Sequence, residues 1–509
     1  MTPTVTPHRP RQRVGRDGFL QLLHAEWTKF RTVPGWVTGT VVAALLVVLV
    51  ALLTGVSSNQ KGSPPVPIGP GGEPVTDSFY FVHQPLAEDG SITVAVSALE
   101  SSIPKGLEDL RPGIVPWAKA GLIVKQSTRP GSPYAAIMAT SGHGVRMQDN
   151  YVNDTAGPPG PVSAESPRWL RLDRSGDTIT GYASTDGTNW AKVGAAEVSG
   201  LGSTVQVGLF VASPQAVEGR GTTSSVSTAA FGDLRLQGGW TDGEWTGEQI
   251  GAHSPTFAGF PGNRSGSFTQ SGGRFTVTGA GDIAPAARYS LPAAGTLKDI
   301  LTGTFAALIA VIVVGALFIT TEYRRNLIHV TLAASPRRGR VLLAKAIVLG
   351  AVTFVAGLAG AVLAVPLGER LSRANGVYLF PVTYSTELRV ALGTAALLAT
   401  ASILALSVGA IIRNSASAVT TVIVAIVLPY LLIANPFMPV SVANWLTRVT
   451  PAAAFAVQQT LVQYPQVANP YTPYNGYYPL APWAGLAVLA GYAVVSLAVA
   501  AFLMHRRDA

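Results

Sequence analysis

Residues 300–325 read ILTGTFAALIAVIVVGALFITTEYRR. Positions 300–320 carry no charged side chain, and their length matches the roughly 20 apolar residues that a helix needs to cross the hydrocarbon core of a bilayer. Charges follow at once, at Glu322, Arg324 and Arg325. The pattern predicts a transmembrane helix that ends at a charged, water-facing segment.

Five more stretches share this character: 36–56, 341–366, 390–412, 416–434 and 482–504. A charge at mid-membrane costs roughly 2.5–3.5 kcal/mol on insertion scales, and within the six stretches Lys345, near one end, is the one charged residue. The chain is 12% charged, against about 25% in soluble proteins. We therefore predict a polytopic α-helical membrane protein with six spans.

The first stretch also has features of a targeting sequence. It is longer than the about 7–15 apolar residues of a signal peptide, and no small-x-small cleavage site is evident after it. An uncleaved signal-anchor is therefore favoured over a cleaved signal peptide.

Lys and Arg in short flanks predict orientation, because they are retained on the cytoplasmic side. Counted over six spans, the basic side contains Arg413 and the segments 1–35, 321–340 and 505–509. Both termini are therefore predicted to be cytoplasmic and the segment 59–298 extracellular, in a protein of the plasma membrane. The net charge of +9 is attributed to this topology, and nucleic-acid binding is disfavoured because the basic residues flank apolar segments.

The segment 59–298 has a different pattern. After a Pro/Gly/Ser-rich linker at 62–73, short β-branched and aromatic runs alternate with turn residues, which is typical of an all-β sandwich. Asp186-Gly187 predicts a hairpin with a tight turn, because this pair supplies positive φ angles. The chain has no Cys, so core burial alone must hold the domain together. The strands expected include 92–96, 120–124, 169–172, 178–183 and 205–211.

The loop 435–481, between the fifth and sixth spans, is rich in aromatic residues. Positions 442–461 are predicted to form short amphipathic helices that re-enter the headgroup layer, the level that aromatic rings favour. The rings assigned to that level are Tyr464, Tyr471, Tyr474, Tyr477, Tyr478 and Trp483.

Several pieces of the inserted domain, read in order over about 92–236, resemble a concanavalin/laminin-G-like sandwich: 121–124, 169–177, the hairpin 182–190 and 207–211. Such domains accompany some carbohydrate-active proteins. The resemblance makes an extracellular glycan a candidate ligand, with a plain structural cap or docking module as the alternative role of the domain. The candidate contacts are Trp190, Trp240 and Trp245, for which core or rim packing is the alternative.

Catalysis by this domain is disfavoured. Glycoside hydrolysis needs two facing carboxylates roughly 5–9 Å apart, and the available acids occupy turns or polar loops. His143 and His253 are isolated, so the sequence indicates no metal site and no cofactor. The acids considered are Asp173, Asp177, Asp186 and Glu244.

The segment 22–32, LLHAEWTKFRT, precedes the first span. Apolar residues recur at helical spacing at Phe19, Leu23, Trp27 and Phe30, and polar residues lie off that stripe at Gln21, Glu26 and Lys29, which is typical of an interfacial amphipathic helix. The segment resembles the elbow helix on the cytoplasmic leaflet in permeases of type-2 ABC exporters; a generic membrane anchor is the alternative. The resemblance assigns to the elbow Glu26, Trp27, Lys29 and Arg31.

A second piece, TEYRRN at 321–326 continuing to TLAASPRR at 331–338, resembles the segment of the same family that links spans two and three and couples to the ATPase. A short charged element of this kind can transmit rigid-body movement. The alternative is that its Arg residues only satisfy topology, although topology does not require Glu322. The C-terminal RRDA at 506–509 is a weaker third resemblance. The resemblance implies coupling roles for Glu322, Tyr323, Arg324, Arg325, Arg337 and Arg338.

The source of energy follows from what the sequence omits. No Gly-x-x-x-x-Gly-Lys-Ser/Thr motif occurs, and the spans carry no Asp, Glu or His for ion or proton coupling. We therefore expect a non-enzymatic permease with a separate cytoplasmic ABC ATPase and a second permease copy as partners in the lipid bilayer. The alternatives are a membrane-anchored glycan- or cell-wall-binding protein, for which one span would suffice, and an ion-coupled transporter.

Overall fold

The computed structural model describes residues 18–106, 109–241, 243–262, 264–328, 337–435 and 438–506. Within these ranges six helices are long and apolar enough to cross a membrane, and each overlaps one of the predicted spans. The helices are α1 (Phe19–Thr32), α2 (Pro34–Ser57), α3 (Leu297–Ile300), α4 (Thr304–Arg324), α5 (Arg338–Ala374), α6 (Tyr384–Ile412), α7 (Ser415–Ala434), α8 (Val440–Val449) and α9 (Pro482–Arg506).

Two of the helices extend beyond the predicted spans. α5 continues through Pro366 to Ala374, and α6 begins at Tyr384, before the predicted start at 390. Both spans were predicted too short because apolar content marks only the uncharged part of a helix, whereas the helix itself can continue into polar surroundings. At 1.5 Å per residue, α5 is longer than the roughly 30 Å hydrocarbon core.

The helices pack closely where small residues meet. α2 packs on α5, and α4 packs on α6. A Cβ atom at Gly315 would lie 2.4 Å from the backbone oxygen of Ser402, and one at Gly360 would lie 3.1 Å from the backbone oxygen of Ala44. These contacts bring helix backbones together, as small residues do in membrane bundles. The core between them is apolar and includes Val47, Leu308, Val311, Leu397 and Leu404.

The inserted segment forms a β-rich domain around one large, nearly closed sheet. The strands are β1 (Val75–Asp77), β2 (Phe79–Pro104), β3 (Leu110–Pro112), β4 (Lys119–Lys125), β5 (Tyr134–Thr140), β6 (Gly144–Asp149), β7 (Asn153–Ala156), β8 (Arg168–Ser175), β9 (Thr178–Ser184), β10 (Ala191–Glu197), β11 (Thr204–Ala212), β12 (Ala216–Glu218), β13 (Gly221–Thr223), β14 (Val226–Trp240), β15 (Thr246–Ile250), β16 (Ser267–Ser271), β17 (Arg274–Gly279) and β18 (Ile283–Pro285). The main path of the large sheet runs β10-β9-β8-β2-β11-β4-β5-β6-β7, and β10 contacts β6 and β7 across the gap.

All five predicted strands are confirmed, within β2, β4, β8, β9 and β11. The long strand β2 organises the sheet, because it pairs with β8, β11, β14 and β15 along its length. Alternate residues of these strands fill an apolar core that includes Val82, Leu122, Ile137, Leu170 and Leu209. The domain is therefore held by buried apolar side chains, in keeping with the absence of Cys.

The hairpin at Asp186-Gly187 is confirmed, but its turn is longer than predicted. Ala183 pairs with Ala191, and six residues, 185–190, connect the end of β9 to the start of β10. Asp186 Oδ1 accepts the backbone N–H groups of Thr188 and Asn189, both at 2.8 Å, and Gly187 alone of the pair has a positive φ, 71°. The Asp side chain thus closes the turn by a local hydrogen-bond pattern that a two-residue turn does not need.

The loop after α8 packs against the β-rich domain. Short helices are confirmed here, as α8 and a 3₁₀ helix at Pro451–Gln458. Every residue of the 3₁₀ helix is buried, so it is not amphipathic, and re-entry into the headgroup layer stays a prediction. Gln466 donates its side-chain N–H to the backbone oxygen of Val152 at 2.9 Å, and Tyr477 and Tyr478 are buried. The assignment of all the loop's rings to the headgroup level was therefore wrong for these two tyrosines. The Tyr477 hydroxyl accepts the backbone N–H of Arg288, and Tyr478 belongs to the apolar core of the helical bundle. Tyr474 and Trp483 are exposed.

Candidate functional site

Three elements named in the sequence meet at one end of the helical bundle. α4 begins beside the β-rich domain and ends at Arg324, so its last turn lies at the opposite end, called here the distal end. α1 and the first turns of α5 pack there too. Four charged side chains converge among these helices and form the distal charge cluster: Glu26, Lys29, Glu322 and Lys345.

The distal charge cluster is a network of four ion pairs. Lys345 Nζ lies 2.7 Å from Glu26 Oε2 and 2.7 Å from Glu322 Oε1. Lys29 Nζ lies 2.8 Å from Glu26 Oε1 and 3.2 Å from Glu322 Oε1. The side chains of Lys345, Glu26 and Glu322 are 0%, 1% and 6% exposed, whereas that of Lys29 is 35% exposed. Two positive and two negative groups therefore balance in a site that water reaches mainly at Lys29, and they join α1, α4 and α5.

The surroundings of the cluster strengthen these pairs. Burial lowers the pKa of Lys29, but the neighbouring Glu26 and Glu322 carboxylates outweigh it, so the pKa is raised overall. The Lys345 ammonium lies 4.6 Å from the centre of the Phe318 ring, a cation–π distance. Phe318 in turn packs edge-on against Phe30 of α1 at 5.6 Å and Trp36 of α2 at 4.9 Å. Charge and packing thus both fasten α1 to the bundle.

The predicted elbow helix is confirmed as a helix, but its buried face differs from the predicted one. Glu26 and Lys29, expected to lie off the packed stripe, face the bundle, whereas Trp27, expected on the stripe, is 43% exposed. Arg31 is exposed. The prediction failed because it treated every charged side chain as water-facing, and Lys345 and Glu322 give these charges partners inside the protein.

The predicted coupling residues occupy different environments. Glu322 belongs to the cluster, and Tyr323 lies under the Arg413 guanidinium, 4.8 Å from its carbon to the ring centre. Arg324, Arg325 and Arg337 are exposed, and half-buried Arg338 donates to the backbone oxygen of Met504 in α9 at 2.5 Å. The quoted piece at 331–336 lies outside the described residues, as do 1–17 and 507–509.

Lys345 is a functional candidate that was not predicted from the sequence. Its position near one end of a span gave no reason to expect that it pairs with Glu26 and Glu322. A lone Lys in an otherwise uncharged stretch needs a partner inside the protein, and Glu26 and Glu322 were the nearest acids flanking spans at the same predicted side. That signal would have pointed to the cluster.

The structure separates the three tryptophans of the β-rich domain. Trp240 and Trp245 are neighbours, with ring centres 6.4 Å apart; Trp240 donates its indole N–H to Ser91, and Trp245 packs edge-on against Phe275. Trp190 lies in the β9–β10 turn, next to the end of β9 that pairs with the start of β8. Packing thus engages two of the rings, and glycan binding through the three stays a prediction from the sequence.

Two of the acids considered for catalysis, Asp173 and Asp186, are engaged in local contacts. Asp173 pairs with Arg171 at 2.6 Å, and backbone N–H groups of Asn189 and Thr188 hold the pKa of the Asp186 carboxyl well below its usual range. Among the residues that the structure describes, no group of three or more His, Asp or Glu is placed to hold a metal ion.

No protein-family model matches the chain, and no curated protein matches it. A functionally unknown protein from Saccharomyces cerevisiae is similar at 16% identity over 35% of this chain and 83% of its own, with a TM-score of 0.22. Scytalido-glutamic peptidase bound to a transition state analog inhibitor is similar at 10% identity over 40% of this chain and 98% of its own, with a TM-score of 0.25. Similarity at such TM-scores carries no argument about activity.

Proposed function

We propose that the chain is the membrane-spanning permease subunit of an ABC transporter, an exporter powered by a separate ATPase subunit. The distal charge cluster is the observation that supports this most. It binds the elbow helix α1 to the end of α4 and the start of α5, beside the exposed Arg324 and Arg325. A partner that contacts this surface has a mechanical connection to three helices.

The proposed coupling is a rigid-body movement. Force applied at 321–340 reaches α4 and α5 directly, and the Lys345 ion pairs carry it to α1. Buried ion pairs suit this role because breaking one leaves an uncompensated charge, which costs about 3–5 kcal/mol. The helices therefore move together rather than separating, as in transitions of packed elements between discrete arrangements.

The remaining parts of the proposal follow from orientation. The distal end faces the cytoplasm, where a motor subunit binds, and the β-rich domain is extracellular, since Lys and Arg are concentrated at the distal side. The domain is a concanavalin/laminin-G-like sandwich. A second permease copy completes the transport path, and the exposed apolar faces of α7 and α9 are available to lipid or to that copy.

Charge reversal at the distal surface tests the ATPase interaction. We expect Arg324→Glu/Arg325→Glu to reduce co-purification of an ABC ATPase from the same organism by tenfold or more and to abolish stimulation of its ATP hydrolysis, because both side chains are exposed and basic. Affinity capture of the co-expressed subunits and ATPase rates in nanodiscs are the measurements.

A matched control exists at the other end of the bundle. Arg370 and Arg373 are exposed near the end of α5, so Arg370→Glu/Arg373→Glu makes the same change of charge away from the proposed contact. It should leave the complex intact. Unchanged complex and unchanged ATPase stimulation in the Arg324/Arg325 variant would remove the coupling assignment.

A further inference from the structure

A cavity of about 460 Å³ lies at the end of the bundle next to the β-rich domain. The start of α4, the end of α7, the 3₁₀ helix Pro451–Gln458 and the loop 473–476 surround it. Its volume falls in the range of about 300–1,000 Å³ typical of small-molecule sites. The cavity is far along the helices from the distal charge cluster and takes no part in the proposed coupling contact.

One side of the cavity is an aromatic wall. The ring of Tyr430 lies 5.1 Å from that of Phe305 and 4.6 Å from that of Phe455, measured between centres. Leu301 and Leu431 extend the wall with aliphatic surface. These uncharged side chains can pack against the apolar part of a ligand.

Basic groups also line the cavity. Lys298 donates to the backbone oxygen of Pro473 at 3.0 Å and leaves two of its three ammonium N–H groups for other acceptors. Arg288 lies 3.4 Å from Asp299 through Nη2, and its side chain is 22% exposed. Both cations can therefore donate charge-assisted hydrogen bonds to an acidic ligand.

The lone acid of the lining cancels only one of these two charges. Asp299 pairs with Arg288 and also caps α3, where Oδ2 accepts both the backbone N–H and the hydroxyl of Thr296 at 2.9 Å. The charged lining residues are Arg288, Lys298 and Asp299, so the cavity carries a net positive charge of one. Together with the aromatic wall, that charge suits a ligand with an acidic group and an apolar body.

The β-rich domain contacts two elements that line the cavity. Arg220, between β12 and β13, donates to the backbone oxygen of Ile433 at 2.6 Å and to that of Asn435, at the end of α7. Its guanidinium carbon lies 6.0 Å from the ring centre of Tyr474, which lines the cavity with Ile433. The domain thus fixes two lining elements from outside the bundle.

We propose that this cavity binds an anionic amphiphile, whose acidic head meets Arg288 and Lys298 and whose apolar body lies against Phe305, Tyr430 and Phe455. A phosphate or carboxylate accepts charge-assisted hydrogen bonds from a guanidinium or an ammonium group, which are stronger than those between neutral groups. The aromatic wall alone would also suit a quaternary ammonium group, but the two adjacent cations repel it. The inference goes beyond the proposed function, because binding needs neither an ATPase nor a second copy.

The test uses the full chain in nanodiscs of neutral phosphatidylcholine, with protein-free nanodiscs as the measure of partition into lipid. Radiolabelled dodecyl phosphate should bind saturably at one site per chain. Dodecyltrimethylammonium should bind at least tenfold more weakly, and inorganic phosphate should compete only at far higher concentration, because it lacks the apolar body. No saturable binding, equal binding of the cationic amphiphile, or equal competition by inorganic phosphate would overturn the proposal.

Variants locate the site. Arg288→Gln and Lys298→Gln should each weaken dodecyl phosphate binding at least tenfold, and Lys298→Arg should retain it, which separates charge from folding. Arg373→Gln, at the same end of the bundle but exposed and off the cavity, should bind as the unaltered chain does. Unchanged binding in both neutral variants at Arg288 and Lys298, or equal loss in Lys298→Arg, would overturn the site.

Discussion

The Lys345→Met variant is expected to be destabilised by about 3–5 kcal/mol, the usual cost of removing one partner from a buried ion pair. Lys345 touches both Glu26 and Glu322 at 2.7 Å and is fully buried. Without it, two carboxylates remain near one ammonium, that of Lys29, and the site gains an uncompensated negative charge. Glu322 Oε2 already has no hydrogen-bond partner among the described residues, so the site has little spare capacity to solvate it.

Unfolding of the purified chain in detergent, followed by the transition midpoint, measures this loss. Arg340→Met is the matched control, because Arg340 is exposed on the first turn of the same helix, and exposed substitutions usually change stability by no more than about 0.5 kcal/mol. Lys345→Met/Glu322→Gln should recover part of the loss by restoring charge balance. If Lys345→Met is no less stable than Arg340→Met, the cluster does not hold the helices together.

Lys125→Met should have a comparable effect inside the β-rich domain. Lys125 and Asp77 are both 0% exposed and lie 2.7 Å apart. Burial lowers the pKa of Lys125, and the Asp77 carboxylate offsets this effect only in part. Removing the ammonium leaves Asp77 with the Tyr151 hydroxyl and the Gly131 N–H as donors to Oδ2, both at 2.7 Å, and with Oδ1 buried and unbonded among the described residues.

Hydrogen exchange of β4 and β5 amides in the full chain reports this change. A loss of about 3 kcal/mol or more speeds exchange of the most protected amides by roughly a hundredfold, at 1.4 kcal/mol per factor of ten. Lys192→Met, on the exposed side of β10, is the control and should leave the rates unchanged. Lys125→Met/Asp77→Asn should exchange more slowly than Lys125→Met. Equal protection in Lys125→Met and Lys192→Met would show that the pair contributes nothing to stability.

The fold could be predicted in outline because two strong periodic signals carry it. Uncharged stretches of about 20 residues mark helices that suit a bilayer, and strands such as 169–172 and 205–211 stand out by their apolar and β-branched runs. Neither signal reports on pairing between distant segments. For that reason Lys125 and Asp77, 48 residues apart, were not recognised as a buried pair.

The candidate site was predicted in its segments but not in its geometry. Glu26, Lys29 and Glu322 lie in two segments that the sequence singles out, about 290 residues apart, but no local pattern shows that Lys29 and Lys345 bridge the two glutamates. Similarly, Tyr477 and Tyr478 were predicted to lie at the headgroup level because sequence alone does not show that both rings are buried within the protein. In each case a long-range neighbour reverses the environment that composition suggests.

Cysteine accessibility in intact cells tests orientation, on which the permease proposal rests. The chain has no Cys, so Thr188→Cys, on the exposed β9–β10 turn, and Arg325→Cys, on the exposed distal surface, each provide one reactive thiol. With a membrane-impermeant maleimide, Thr188→Cys should be labelled in intact cells and Arg325→Cys only after permeabilisation. Labelling of Arg325→Cys in intact cells, with Thr188→Cys protected, would place the distal charge cluster outside the cell and contradict an ATP-driven permease.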